Sequence, residues 1–194
     1  MIRTILPIVE GQSEVEGAPV LLRRLLTHLG HAEVQVARPF RIKRNRVILS
    51  GEIERAVLQG LRTRVGVTGV LVLLDADDDD PAQIEAALLD RCLIASSLPA
   101  AVVAARRELE AWFLGGKESL RGVCGIRADA NAPEGPEEIR GAKERLSRNM
   151  VGNRRYVEVV DQPVLAARMD LDLARERCPS FQRLIAGLER ILTE

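Results

Sequence analysis

Short apolar runs alternate with amphipathic stretches along the first part of the chain. Ile2 to Val9 is apolar, rich in β-branched residues and closed by Glu10-Gly11, which predicts a buried strand. Ser13 and Glu16 then stand at the S-x-x-E spacing of a capping box, ahead of Leu21, Leu22, Leu25, Leu26 and Leu29 on one helical face. Gly30 ends that helix. Val34 to Ile42 reads as a second strand, and Ser50 with Ile53, Val57, Leu58 and Leu61 as a second amphipathic helix. Gly69 to Leu74 is apolar throughout, as in a strand covered on both faces. Pro81 opens a third helix at its first turn, where a missing N–H does no harm. Ala100 to Ala105 is a fourth apolar strand, followed by a helix carrying Leu109, Trp112, Phe113 and Leu114.

Strands alternating with helices over about 115 residues predict an α/β fold, a parallel sheet of about four strands covered by helices. Gly115 to Gly135 is rich in Gly, Pro, Asp and Asn and reads as a loop or lid. Beyond it, helical stretches are expected near residues 137–147, 163–176 and 180–192. The chain therefore divides into an α/β core, residues 1–115, and a loop with a mostly helical C-terminal extension packed on it, residues 116–194. No internal repeat is evident, and no GxxxxGK[ST] or GxGxxG loop follows a strand.

Composition narrows the class. Aromatic residues make up only 3%, so Leu, Val, Ile and Ala must build the core, which favours helices and buried parallel strands over an aromatic-rich sandwich. Lys plus Arg and Asp plus Glu both number 28, so any attraction for a polyanion has to be local. Cys92, Cys124 and Cys178 are odd in number and far apart, and only His28 and His31 are present. A disulfide framework and a His/Cys metal site are both disfavoured, and the thiols fit a reducing cytoplasm. The histidines flank Gly30 and read as surface or helix-end residues. The apolar run from Val65 stops at Asp75, short of the roughly 20 residues needed to span a bilayer, so no membrane association is expected.

The acids are the candidate chemistry. Ligands of parallel α/β sheets bind beyond the carboxyl ends of the strands. Glu10 stands at such an end, with Gly11 allowing a tight turn, and Glu14 follows in the first helical turn, where the helix dipole also favours a carboxylate. The third strand runs into Asp75-Ala76-Asp77-Asp78-Asp79-Asp80-Pro81, and strand periodicity puts Asp75 and Asp77 on one side. Asp80 reads as the N-cap of the next helix, whereas Asp79 is open between capping and binding. Carboxylates crowded in this way need a cation, and an oxygen-only donor set suits Mg²⁺ or Mn²⁺. Glu108 and Glu110 would be splayed by about 160° on a regular helix. Both reach one site only if Glu108 precedes the helix, and Glu110 is the stronger candidate ligand. Trp112 shares a face with Leu109 and Phe113 and reads as a core anchor.

Arg38, Arg41, Lys43, Arg44 and Arg46 place five cations in nine residues. They suit contact with a nucleic-acid backbone, or equally a charged edge strand that resists aggregation.

Together the segments VEGQSE, LLDADDDDP, RELEAWFL and DQPVLAARMDLDLARERCPSF resemble, over nearly the whole chain, a TOPRIM-like bacterial family, domain-of-unknown-function family 4276. Glu-Gly after the first strand and Asp-x-Asp after the third are similar to the TOPRIM domains of primases, topoisomerases and OLD-type nucleases. The resemblance implies a catalytic Mg²⁺ site with Glu10 as the TOPRIM glutamate and general acid/base, Asp75 and Asp77 as its Asp-x-Asp, and Asp79 as a third acid. Likeness to OLD nucleases adds Glu14, Glu110 and a catalytic lysine, for which Lys143 is the match. Within these residues nothing resembles an ATPase module or a topoisomerase-type nucleophilic tyrosine domain, and Tyr156 is the sole tyrosine. The function expected is Mg²⁺-dependent hydrolysis of a phosphodiester in DNA or RNA. The alternative is a non-catalytic module that binds nucleic acid or an operon-encoded partner protein.

Overall fold

The computed structural model describes residues 3–193, so the expected strand start at Ile2 lies outside the described residues. The elements run β1 (Thr4–Val9), α1 (Gln12–His28), β2 (Gln35–Val36), β3 (Phe40–Arg41), α2 (Arg44–Val47), α3 (Glu52–Arg62), β4 (Gly69–Asp75), α4 (Pro81–Ala95), β5 (Ala100–Ala105) and α5 (Glu110–Gly115). They continue as α6 (Ala142–Arg148), α7 (Glu158–Arg168), α8 (Leu171–Arg177) and α9 (Pro179–Thr193). All strand pairings are parallel. The sheet order is β2-β1-β4-β5, with β3 also paired to β1.

Alternation along the strands builds two cores. Ile5, Val9, Leu71, Leu73, Ala101 and Val103 face α1 and α9, while Leu6, Ile8, Val70, Val72, Leu74 and Val102 face α3 and α4. Both faces are covered, which is why β4 needs no polar alternation. No helix among the described residues is long and apolar enough to cross a membrane.

Four sequence expectations change in detail. The cap of α1 is Gly11 rather than Ser13: the Glu14 carboxylate accepts the Gly11 N–H, and Ser13 Oγ donates to Glu14 Oε1 at 3.1 Å. The second strand is broken into β2 and β3 around Pro39, whose nitrogen has no hydrogen to offer the ladder. The 163–176 helix is two, because Asp170 caps α8 by accepting from the Asp172 and Leu173 amides.

The stretch 115–135 is no free lid. Leu120, Ile126 and Ala130 are buried in the same core as α1, and two short 3-10 turns, Lys117–Leu120 and Val123–Gly125, carry the chain between them. Single apolar residues among glycines leave no periodicity to read, yet each finds a place in the core. That core draws side chains from both sides of residue 116, with Leu165, Phe181 and Leu188 packed among residues of α1 and the sheet.

Candidate functional site

The acids meet along the carboxyl edge of the sheet. Glu10 follows β1, Asp75 closes β4 beside Ala105 of β5, and Glu110 begins α5 just after β5. Glu14 reaches in from the first turn of α1. The hook that sets Glu110 over Asp75 is a backbone contact: Asp75 Oδ1 accepts the Leu109 N–H at 2.8 Å. Leu109, Trp112 and Phe113 are buried and pin α5 against the core. Trp112 is structural, as its position predicts: its Nε1 donates to Ser180 Oγ at 2.7 Å, and its ring meets Phe181 edge-on at 5.2 Å.

Glu110 is 0% exposed. Its Oε1 accepts from Tyr156 Oη at 3.0 Å and from Gln162 Nε2 at 3.4 Å, and Gln162 also donates to Glu14 Oε1 at 3.3 Å. Lys143 Nζ stands 4.0 Å from Glu110 Oε2 and 3.3 Å from Glu158 Oε2. Glu110 Oε2, Glu10 Oε2 and Gln162 Oε1 are buried with no hydrogen-bond partner among the described residues. Buried polar oxygens are nearly always satisfied, so the orphans on Glu10 and Glu110, at two points of the carboxyl edge, call for a ligand, whereas Gln162 Oε1 lies against Gly17 of α1.

Burial and repulsion raise the proton affinity of Glu10, Asp75 and Glu110. Glu10 is pushed up to about 7 by burial and then by the charge of Asp77, against the pull of Arg44 and the Asp75 amide. Asp75 is pushed well above the ordinary carboxylate range by burial, then by Glu110 and Glu14. Glu110 rises to about 7, mainly through burial, with Lys143 opposing. Burial works against the Lys143 ammonium, but Glu110, Glu158 and Asp75 outweigh it and its pKa rises.

The turn after β4 is strained. Asp77 and Arg107 both take left-handed backbone conformations, φ 52° and 62°, and the Asp77 N–H donates to the Arg107 carbonyl at 3.0 Å. Paired αL residues away from glycine are uncommon and cluster at functional sites.

The acids are linked in a chain: Glu10 feels Asp77 and Glu14, while Asp75 and Glu110 feel each other and Glu14. Two other candidates are turned away. Asp79 Oδ2 accepts from Arg44 at 2.5 Å on the exposed rim. Glu108 does precede its helix, but its carboxylate accepts the Gly141 and Lys143 amides at 3.1 and 3.3 Å, anchoring the start of α6. Asp80 caps α4, accepting the Ala82 N–H at 2.9 Å.

The basic run is partly consumed. Arg41 donates to the Glu10 carbonyl at 3.1 Å, Arg44 leans on Asp79 and Asp77, and Arg46 pairs with Glu52 at 3.0 Å. Arg38 and Lys43 have no ion-pair partner among the described residues. Tyr156 and Gln162 are the site residues that strand and helix patterns did not single out. The signal available was polar Asp161-Gln162 at inward positions of α7, beside Leu165 and Ala166.

Among the described residues no three His, Cys, Asp or Glu side chains are drawn in tightly enough to form a ready metal cage. Mg²⁺ commonly takes one or two carboxylates and keeps several waters, so an oxygen-only row with orphaned Glu10 and Glu110 oxygens still fits it.

No curated protein and no solved structure matches the chain. The signature of one family matches residues 9–189, almost the full length, and the chain belongs to the family described as Domain of unknown function (DUF4276).

Proposed function

We propose that this protein is a TOPRIM-type, Mg²⁺-dependent phosphodiester hydrolase acting on nucleic acid. One observation carries the reading: Glu10, Asp75 and Glu110 are held together at the sheet's carboxyl edge with raised proton affinity and orphaned oxygens. Buried acids with raised proton affinity beside the carboxyl ends of parallel strands are characteristic of ligand sites.

One or two of the Glu10, Asp75, Asp77 and Glu110 carboxylates would hold the cation together with waters, with Glu14 beside them. The bound ion supplies charge neutralisation at the phosphoryl oxygens and makes water acidic enough to act as nucleophile near neutral pH. The chain's own groups then have distinct tasks. Where Glu10 instead stays outside the cation's ligand set, it exchanges a proton with the attacking or departing oxygen. Lys143, fixed in its charged form by Glu110 and Glu158, meets the developing negative charge of the phosphate. Tyr156 and Gln162 orient Glu110 through hydrogen bonds to Oε1, leaving Oε2 without a hydrogen bond and facing the Lys143 ammonium. Three free thiols suit a reducing compartment, in keeping with a cytoplasmic protein.

Supercoiled and single-stranded substrates incubated with Mg²⁺ or Mn²⁺ test the proposal. Cleavage that depends on the cation and disappears in Asp75→Ala supports it. Intact substrate with folded wild-type protein under every cation would leave a binding module in place of an enzyme.

A further inference from the structure

Two basic clefts lie against opposite ends of the row of acids. The first, about 660 Å³, is lined by Arg41, Lys43, Arg46 and Arg55 from β3, α2 and α3, with Glu52 as its carboxylate. It touches the row at Glu10, whose carbonyl accepts from Arg41. The second, about 700 Å³, is lined by Lys143, Arg148, Arg154 and Arg155, with Glu144 and Glu158 as its carboxylates. It touches the row at Glu110, through Lys143 and through Tyr156, which also lines that cleft.

Across the sheet the sequence of groups is therefore Lys43 beyond β3, Glu10 after β1, Asp75 after β4, Glu110 after β5, then Lys143. In each cleft the acids are outnumbered, and Glu144 in the second is the one carboxylate among them without an ion-pair partner among the described residues. Glu52 is held by Arg46 and Arg55, and Glu158 is held by Lys143. Lys43 on one flank, and Arg148 and Arg155 on the other, have no ion-pair partner among the described residues. Arg148 and Arg155 are exposed. On a chain of zero net charge, cations left over in clefts at both ends of an acid row suit a polyanion that passes through both.

We infer that a single nucleic-acid strand lies across the whole carboxyl edge, its phosphates held in both clefts and an internal phosphodiester presented to the acids between them. This rests on the hydrolase reading for what happens at the acids, but the binding mode stands separately. A site that trims strand ends would need cations on one flank and a wall on the other. Here the row is flanked by clefts at both ends, so the substrate needs no free terminus.

The test is binding in chelator, where no cleavage intrudes. Internally labelled single-stranded DNA is offered as a linear strand and as the same sequence closed into a circle, with the equivalent RNA in parallel. Wild type is expected to bind circle and linear strand within twofold. Lys43→Ala with Arg46→Ala, and separately Arg148→Ala with Arg155→Ala, should each weaken binding and flatten its salt dependence by about 0.7 of slope for every phosphate no longer neutralised. Melting curves confirm that the exposed replacements leave the fold intact. Weakening confined to one pair, or a circle that binds at least tenfold more weakly than the linear strand, overturns the two-flank mode. With Mg²⁺ restored, cleavage from ends alone would sink this inference but keep the hydrolase. Two-flank binding without cleavage would do the reverse.

Discussion

Single residues carry most of the unusual energetics. Glu110 is buried and favours its protonated form, holding its proton up to about 7, whereas the unfolded side chain lets go near 4.5. Between those values the folded chain binds more protons than the unfolded one, so this contribution to stability is complete below pH 4.5 and lost as pH rises through 7. Glu110→Gln removes it. In chelator, the variant should gain on wild type between pH 5 and pH 8; a stability difference that is equal at both would mean the carboxyl is not perturbed. Trp112 is the opposite case, a residue whose role was plain from its helical face. Its truncation to Ala empties a fully buried site and removes the hydrogen bond to Ser180 Oγ, and should cost about 3–5 kcal/mol in denaturant melts followed by circular dichroism. A variant as stable as wild type would refute the core assignment. Glu10, Asp75 and Asp77 were legible because each follows an apolar strand. Tyr156 and Gln162 were not, because their partners lie 46 and 52 residues away along the chain at Glu110.

Elements were legible where burial is continuous. β4, β5 and α4 stand almost where apolar runs and the Asp80-Pro81 start place them, since both sheet faces are covered and the Asp80 side chain caps the helix. The edge was harder. β2 and β3 depend on the register of β1, and Pro39 splits what reads as one strand. The same edge carries the basic run, whose function sequence alone left open between nucleic-acid contact and edge protection. Structure divides it: Arg44 acts first as counter-charge to Asp77 and Asp79 and lowers the proton affinity of Glu10. Arg44→Ala therefore leaves the row more repulsive, and Mg²⁺ should raise the melting temperature of this variant by more than it raises that of wild type. An identical rise in both would place Arg44 outside the electrostatics of the row.

At the scale of the whole molecule, the helical C-terminal part completes the site. Lys143, Tyr156 and Gln162 all come from beyond residue 116, and α7 brings Gln162 between Glu14 and Glu110. Membership of DUF4276 over residues 9–189 covers both halves together. A row of acids along the sheet edge also ties ligand binding to global stability, because a cation that binds only the folded state stabilises it by mass action. The most direct measurement is the melting temperature of wild type and Asp75→Asn at pH 8, each titrated with Mg²⁺ and Mn²⁺ from a chelated start. Relief of repulsion should make Asp75→Asn the more stable protein without metal, while the cation-induced rise seen in wild type should largely vanish in the variant. Equal rises in the two proteins, or none in either, would contradict a divalent-metal site at the end of β4.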